Sequence, residues 1–171
     1  MVAGFGSGKS LMGCAEILKL AFLNYGLASL VVCLNYPVAR RTILPTLKQL
    51  LDSSQIDYSQ NKSNFTFTIH DAGNHVIYIG SAEIPDSLKG SNVSAVYFDE
   101  LAVMSQDSYY QAIARAREPR SKEIRIFSTT TPDAMNWLYQ EFIKSKRDDL
   151  EVIRASTYDN AYLPDTYIKV N

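Results

Sequence analysis

Cysteine, net charge and long apolar runs are all scarce in this chain. Its two cysteines, Cys14 and Cys33, have no Cys-x-x-Cys spacing and no histidine near them, which argues against a zinc site or a disulfide framework and favours a reducing cytoplasm. Lysine and arginine number 17 against 18 aspartate and glutamate residues, so any contact with DNA must be local. No apolar stretch approaches the roughly 18 residues of a membrane span, and the N-terminus is not a signal peptide. We therefore expect a soluble protein with no membrane partner.

The order of predicted elements indicates the fold class. With 171 residues, 46% of them hydrophobic, the chain has the size and composition of one globular domain. Periodicity predicts helices over residues 11–25, 38–52, 105–117 and 133–146, and strands over 28–34, 65–70, 75–80, 95–98, 124–128 and 151–155. Residues 53–64 are predicted to form a loop. Strands that alternate with helices predict an α/β sandwich around a mostly parallel sheet.

Two local details accompany this assignment. Pro45 is expected to kink or divide the helix over residues 38–52, because proline lacks the amide hydrogen that a helix interior requires. His70 and His75 flank the turn of a predicted hairpin, and we interpret both as surface residues rather than ligands.

A glycine-rich octapeptide near the N-terminus carries the clearest functional signal. Residues 3–10 read Ala-Gly-Phe-Gly-Ser-Gly-Lys-Ser, which is a P-loop or Walker A sequence apart from Ala3, where the strict pattern has glycine. Glycines allow positive φ and close approach of backbone N–H groups to phosphates, while a lysine and a serine supply an ammonium group and a magnesium ligand. The simpler alternative is a flexible loop ahead of a helix. The residues predicted to bind the nucleotide here are Gly4, Phe5, Gly6, Ser7, Gly8, Lys9 and Ser10.

Only Met1 and Val2 precede this loop, although a P-loop normally follows a buried strand. We therefore expect the first strand to be largely missing, as in a fragment of a longer protein, together with any adenine-contacting segment before it.

A second motif lies at the end of the apolar run 95–98. Asp99 and Glu100 follow directly, and the carboxyl ends of strands in an open α/β sheet are where ligands bind. Asp99 is predicted to hold Mg²⁺ through water together with Ser10, and Glu100 to deprotonate the attacking water. The alternative is a solvated turn, which the presence of a P-loop upstream disfavours.

Hydroxyl side chains follow the strand over 124–128. Thr129 and Thr130 are predicted to sense the γ-phosphate or the attacking water. Alternatively, this segment is ordinary turn chemistry before a helix N-cap, for which Thr131, Pro132 and Asp133 are suitable.

Taken together, the motifs resemble one family, the ATPase domain of the large terminase subunit of tailed bacteriophages. The resemblance covers nearly the whole chain. It rests on the Walker A loop, on Pro-Asp-Ser-Leu-Lys-Gly at 85–90, on the Asp99-Glu100 pair, on Ser-Thr-Thr-Thr-Pro at 128–132, on Trp-Leu-Tyr at 137–139 and on Ser-Thr-Tyr-Asp-Asn at 156–160. The resemblance implies a P-loop NTPase of the ASCE or RecA-like type with a three-layer sandwich.

The same resemblance implies a function and partners. These are ATP hydrolysis with Mg²⁺, coupled to translocation of double-stranded DNA into a procapsid by a homo-oligomeric ring docked on the portal protein. A small terminase subunit is a further partner, and the location is the host cytoplasm and, transiently, the portal vertex. Two other functions stay open: another nucleic-acid-dependent P-loop ATPase of helicase or recombinase type, and a nucleotide-gated binding module without efficient turnover.

The chain departs at two positions from the pattern of the family that it resembles. Phe5 stands where many relatives have arginine inside the Walker A loop, and Lys89 stands where they often have an arginine that completes a neighbouring subunit's site. The resemblance makes Lys89 a catalytic candidate, with Arg115, Arg117 and Arg120 as substitutes; the alternative for those three is a solvated basic helix end. Whole terminases continue into a nuclease domain, and we expect no nuclease domain and no DNA cleavage within residues 1–171.

Overall fold

The structure is a computed structural model that describes residues 1–4, 6–131, 137–144 and 148–163. The helices are α1 (Lys9–Leu23), α2 (Tyr36–Arg41), α3 (Ile43–Ser53) and α4 (Gln106–Ile113), with a π-helix over Tyr139–Lys144. The strands are β1 (Val2–Ala3), β2 (Ala28–Cys33), β3 (Tyr58–Asn61), β4 (Thr66–Ile69), β5 (His75–Ser81), β6 (Ala95–Asp99), β7 (Arg125–Thr129) and β8 (Arg154–Ala155). No helix in the described ranges is long and apolar enough to cross a membrane.

Six strands form a mostly parallel sheet in the order β3-β4-β5-β2-β6-β7. Strands β5, β2, β6 and β7 run parallel to one another, and β3 and β4 are antiparallel additions at one edge. At the other edge Val2 forms a parallel bridge with Thr130, and β1 pairs in parallel with β8. Strand β7 therefore separates β1, which leads into the P-loop, from β6, which ends in Asp99.

Helices cover both faces of this sheet and make it the middle of three layers. In β2, Val31 faces a cluster built with α1 and α3, while Leu30 and Val32 face a second cluster that includes α4. Because successive strand residues point to opposite faces, a strand buried on both sides is apolar on both, as residues 30–33 of β2 are. The predicted three-layer α/β sandwich is confirmed.

Most predicted elements are present, but several boundaries are different. The helix predicted over 38–52 is divided, and the break falls at Thr42, so that Pro45 lies in the first turn of α3, where a missing amide hydrogen leaves no helical bond unmade. The helix predicted over 105–117 ends at Ile113, because the carbonyl of Arg115 turns to accept from the Val93 amide. The strand predicted over 151–155 is shortened to β8. Of the helix predicted over 133–146, only residues 137–144 are described.

The loop predicted over 53–64 is wrong in part, because it contains strand β3. This strand pairs with β4 at the edge of the sheet, and its Tyr58 ring packs 5.9 Å from the ring of Phe67. The amides of Ser63 and Asn64 donate to the side chain of Asn61, which closes the turn into β4.

The surface position predicted for His75 is also wrong, since its side chain is fully buried. Its Nδ1 lies 2.9 Å from the carbonyl oxygen of Asn24, and its Nε2 lies 2.8 Å from the hydroxyl of Ser29. Burial lowers the pKa of His75, against a smaller opposing effect of the Asn24 carbonyl. The side chain of His70 is partly exposed, next to Asn74.

Candidate active site

The glycine-rich loop joins β1 to α1 and has the backbone conformation that its sequence predicts. Gly6 and Gly8 have φ of 71° and 84°, values that side chains with a Cβ rarely adopt. Gly4 is constrained differently, because a Cβ there would lie 2.3 Å from Oγ1 of Thr157. The loop ends at the N-terminus of α1, where unpaired amides and the helix dipole favour an anion. Phe5 lies outside the described residues.

A hydrogen bond joins the two predicted motifs. The hydroxyl of Ser10, in the first turn of α1, donates to Oδ1 of Asp99 at the end of β6 over 2.9 Å. Asp99 is 4% exposed, and burial raises the pKa of its carboxyl group, with the charge of Glu100 adding to the effect; hydrogen bonds from Ser10, Tyr97 and Thr129 act in the opposite direction. The chain thus brings a hydroxyl and a buried carboxylate together at the end of the P-loop.

Glu100 leaves the strand in a left-handed backbone conformation, with φ 58° and ψ 56°. For a residue with a Cβ this conformation costs on the order of 1–2 kcal/mol. Its carboxylate is held from two directions. Oε2 accepts from the Thr131 amide at 2.8 Å, Oε1 accepts from the Thr131 hydroxyl at 3.0 Å, and Lys9 Nζ lies 3.4 Å from Oε1. Lys9 Nζ also donates to the carbonyl oxygen of Gly4 at 3.1 Å. Glu100 therefore faces the P-loop lysine.

The hydroxyl side chains of Thr129 and Thr130, at the end of β7, have different hydrogen-bond partners. Asp99 and Thr129 are register partners, and the Thr129 hydroxyl lies 3.4 Å from Oδ1 of Asp99 and 2.8 Å from the Tyr97 hydroxyl. Thr130 instead accepts a hydrogen bond from the Ala102 amide at 3.1 Å. The structure brings Thr129 to the carboxylate, whereas the hydroxyl of Thr130 braces the turn after Glu100.

Residues beyond the predicted set also contact this site. The sequence assigns Thr131 to turn chemistry and to the Ser-Thr-Thr-Thr-Pro segment, with no individual role, and Tyr97 to an apolar run. The period of two along β6, which puts Tyr97 and Asp99 on one face, is the signal that could have singled out Tyr97. The segment after β8 also contacts the P-loop. The Ala155 carbonyl accepts from the Gly4 amide, and the Asn160 side chain donates to the Gly6 carbonyl at 2.6 Å.

The basic residues predicted as catalytic candidates have other hydrogen-bond and ion-pair partners. Lys89 forms an ion pair of 2.6 Å with Asp86, and both side chains are largely exposed. Arg115 donates to the Gly90 carbonyl and Arg117 to Asn92, close to the Val93–Ala116 bridge that precedes β6.

Arg120 forms an ion pair with Glu118, which follows the bridge residue Ala116 by two positions. Val93 is six strand residues before Asp99, about 20 Å at roughly 3.3 Å per residue. Within one subunit the three arginines thus lie at the opposite edge of the sheet from the carboxylates.

The donor set at the end of the P-loop fits magnesium. The oxygens of Ser10 and Asp99 are hard ligands, and Mg²⁺ in proteins is commonly held by one or two carboxylates together with substrate phosphates. Among the described residues there is no group of three or more histidine, cysteine, aspartate or glutamate side chains that could hold a metal by itself. Any magnesium here therefore requires oxygens from a bound phosphate or from water.

Comparison with known proteins agrees with this geometry. The family described as terminase large subunit, T4likevirus-type, N-terminal, matches residues 1–169. No curated protein sequence matches the chain. The large terminase of a thermophilic bacteriophage (crystal form 2) is similar in structure, with a TM-score of 0.85 at 17% identity over 99% of this chain and 43% of that one.

Two further solved structures extend the likeness. The same phage terminase in complex with ADP has a TM-score of 0.81 at 17% identity, again over 99% of this chain and 43% of that one. The ATPase domain of the Thermus phage P74-26 large terminase has a TM-score of 0.68 at 18% identity over 98% of this chain and 84% of that domain. The chain thus spans less than half the length of the first of these relatives, and at such identities the likeness is one of fold.

A P-loop that meets an Asp-Glu pair across one inserted strand is the arrangement of the RecA-like P-loop fold. The match over residues 1–169 identifies the family within that fold: the chain belongs to the N-terminal part of the large terminase subunits.

Proposed function

We propose that this chain is a single ATPase domain that hydrolyses ATP to drive packaging of double-stranded viral DNA. The observation that carries the proposal is the meeting of two P-loop side chains with two consecutive carboxylates, Ser10 with Asp99 and Lys9 with Glu100. Membership of the terminase family and the fold shared with an ADP complex support the choice of an adenine nucleotide.

Each residue has a role in this proposal that follows from its position. The backbone of residues 6–8 and the N-terminus of α1 bind the phosphates, and the ammonium of Lys9 neutralises their charge. Ser10 and Asp99 would hold Mg²⁺, which when bound neutralises phosphate charge and orients the phosphates for attack.

Glu100 is the general base of the proposed reaction. The water proton passes to its carboxylate as the water oxygen attacks the γ-phosphorus, and the bond to the β-phosphate oxygen breaks to give ADP and inorganic phosphate. The hydrogen bonds of Thr131 hold Glu100 in place, which reduces the reorganisation that the step requires. Thr129 adds a hydroxyl beside Asp99.

The packaging context extends the proposal to partners. The family supports double-stranded DNA, the portal protein of a procapsid and a small terminase subunit as partners, in a homo-oligomeric ring that works in the host cytoplasm. In such a ring Lys89, which is exposed, can enter the site of the neighbouring subunit. The trans arrangement is supported by the exposed position of Lys89, whose ion pair is with Asp86 of the same turn rather than with Asp99 or Glu100.

A hydrolysis assay on Glu100→Gln tests the catalytic part. The amide keeps the shape of the side chain but cannot take up the proton, so single-turnover hydrolysis should fall about 10²- to 10⁴-fold while Mg²⁺-nucleotide binding persists. Asp99→Asn is the matched control, because this variant should lose the contribution of magnesium to nucleotide binding, which Glu100→Gln should keep. Wild-type turnover in the Glu100→Gln protein would contradict the assigned base, and hydrolysis indifferent to procapsids and portal would contradict the packaging role.

A further inference from the structure

Tyr97 is a fully buried tyrosine directly beneath the P-loop helix. Its ring stacks on that of Phe127 in β7, with 4.9 Å between centroids and 11° between planes. On the other side it touches α1 at Gly13, where a Cβ would lie 2.1 Å from the ring. A glycine in the middle of a helix costs about 1 kcal/mol relative to alanine, so this close approach replaces a more helix-favouring residue.

The hydroxyl of Tyr97 reaches the metal-binding carboxylate. It lies 3.0 Å from Oδ1 of Asp99 and 2.8 Å from the hydroxyl of Thr129. An ionised carboxylate can only accept, so Tyr97 donates to Asp99 and Thr129 donates to Tyr97. With the bond from Ser10 and the longer contact of Thr129 at 3.4 Å, three hydroxyls converge on one oxygen of Asp99.

Packing alone does not account for this hydroxyl. Phenylalanine would fill the same space, stack equally on Phe127 and avoid the cost of burying a polar group. The hydroxyl lies where it can fix the orientation of a carboxylate, and groups that orient metal ligands in this way typically matter 10- to 100-fold for metal affinity or activity.

We propose that Tyr97 is a positioning residue that, together with Thr129, orients Asp99 for magnesium. The inference rests on the proposed function, since it assumes that Asp99 serves a nucleotide-bound magnesium. It adds a physical link between β7 and the metal site. A displacement of Thr129 would alter the hydrogen bond that the Tyr97 hydroxyl accepts, and through Tyr97 the orientation of the Asp99 carboxylate.

The test is equilibrium binding of ADP to the 171-residue chain by calorimetry, first in EDTA and then across a magnesium titration. For Tyr97→Phe, affinity in EDTA should equal that of the wild type, because the P-loop and the ring packing are intact. The magnesium concentration that produces half of the change in ADP affinity should rise about 10- to 100-fold. Tyr78→Phe, which removes a tyrosine hydroxyl from β5 on the same sheet, should leave both quantities unchanged.

Thr129 provides an independent pair of variants should Tyr97→Phe fail to fold. Thr129→Val should raise the magnesium requirement and Thr129→Ser should restore it. If Tyr97→Phe folds, the double variant Tyr97→Phe/Thr129→Val should be no worse than the more affected single variant, because both act through one oxygen.

Distinct results separate failure of the inference from failure of the proposed function. A wild-type chain whose ADP binding is absent or insensitive to magnesium would contradict the proposed nucleotide site. A wild type that responds to magnesium, with Tyr97→Phe responding identically, would overturn only the inference. Loss of ADP affinity in EDTA for Tyr97→Phe would also overturn it, since that result assigns Tyr97 to packing of the loop.

Discussion

Alanine at Gly13 is the substitution whose cost the structure specifies most directly. The new Cβ would lie 2.1 Å from Cζ and 2.2 Å from the hydroxyl oxygen of Tyr97, far inside the roughly 3.5–4.0 Å of normal contact. The ring cannot move away without losing its stacking on Phe127 and its hydrogen bonds to Asp99 and Thr129. Overpacking typically costs about 1–3 kcal/mol, and so short a contact lies at the upper end, about 3 kcal/mol, of which the better helix propensity of alanine returns about 1 kcal/mol.

We therefore expect Gly13→Ala to lower the free energy of unfolding by about 2 kcal/mol, a fall in Tm of roughly 4–8 °C for a chain of this size. Denaturant and thermal unfolding, each followed by circular dichroism and by tryptophan fluorescence, measure the change. Gly80→Ala is the matched control, since its Cβ would mainly meet the end of the Leu88 side chain at 2.8 Å, which can turn aside. A Gly13→Ala protein as stable as the wild type would refute the proposed contact between α1 and Tyr97.

Three further predictions concern single side chains. Lys9→Ala should abolish ATP hydrolysis and weaken ADP binding with an unchanged circular dichroism spectrum; persistent hydrolysis would remove the P-loop assignment. Lys89→Ala should lower hydrolysis only under assembling conditions and leave the rate of dilute subunits alone, whereas equal loss in both states would place Lys89 in its own subunit's site. Because burial lowers the pKa of His75, the unfolded chain takes up a proton below about pH 6.5 that the folded chain does not. Stability should therefore fall as the pH drops below that value, by at most about 1.4 kcal/mol per pH unit, and His75→Gln should flatten the slope.

The centre of the fold and of the site could be predicted because their signals are local in sequence. Buried parallel strands require apolar runs such as Ala28–Cys33, and the carboxyl ends of such strands meet at one edge, which places Asp99 beside Ser10. The assignment of Thr129 to a strand next to Asp99 follows from the same geometry.

The features that were missed depend on partners distant in sequence. Strand β3 is polar because it lies at the edge of the sheet, so its residues resemble a loop. His75 is buried because Asn24 and Ser29, both far along the chain, satisfy its ring nitrogens. The period of two places Tyr97 on the same face as Asp99, but its contact with Gly13 depends on how α1 packs on β6, which the sequence pattern does not show.

The pairing of β1 with β8 has a consequence for the order in which parts of the chain fold. Val2 and Arg154 are register partners almost a full chain length apart, and each of the two strands has only two residues. Closing so long a loop yields few hydrogen bonds, so this contact forms late in folding and opens at lower free energy than β2 or β6. The amides of Val2 and Gly4 donate to the carbonyls of Ile153 and Ala155, so hydrogen exchange at these two amides should be fast relative to the sheet centre. A phosphate ligand on the adjoining loop would slow it selectively, since ligand that binds only the closed form stabilises that form by mass action.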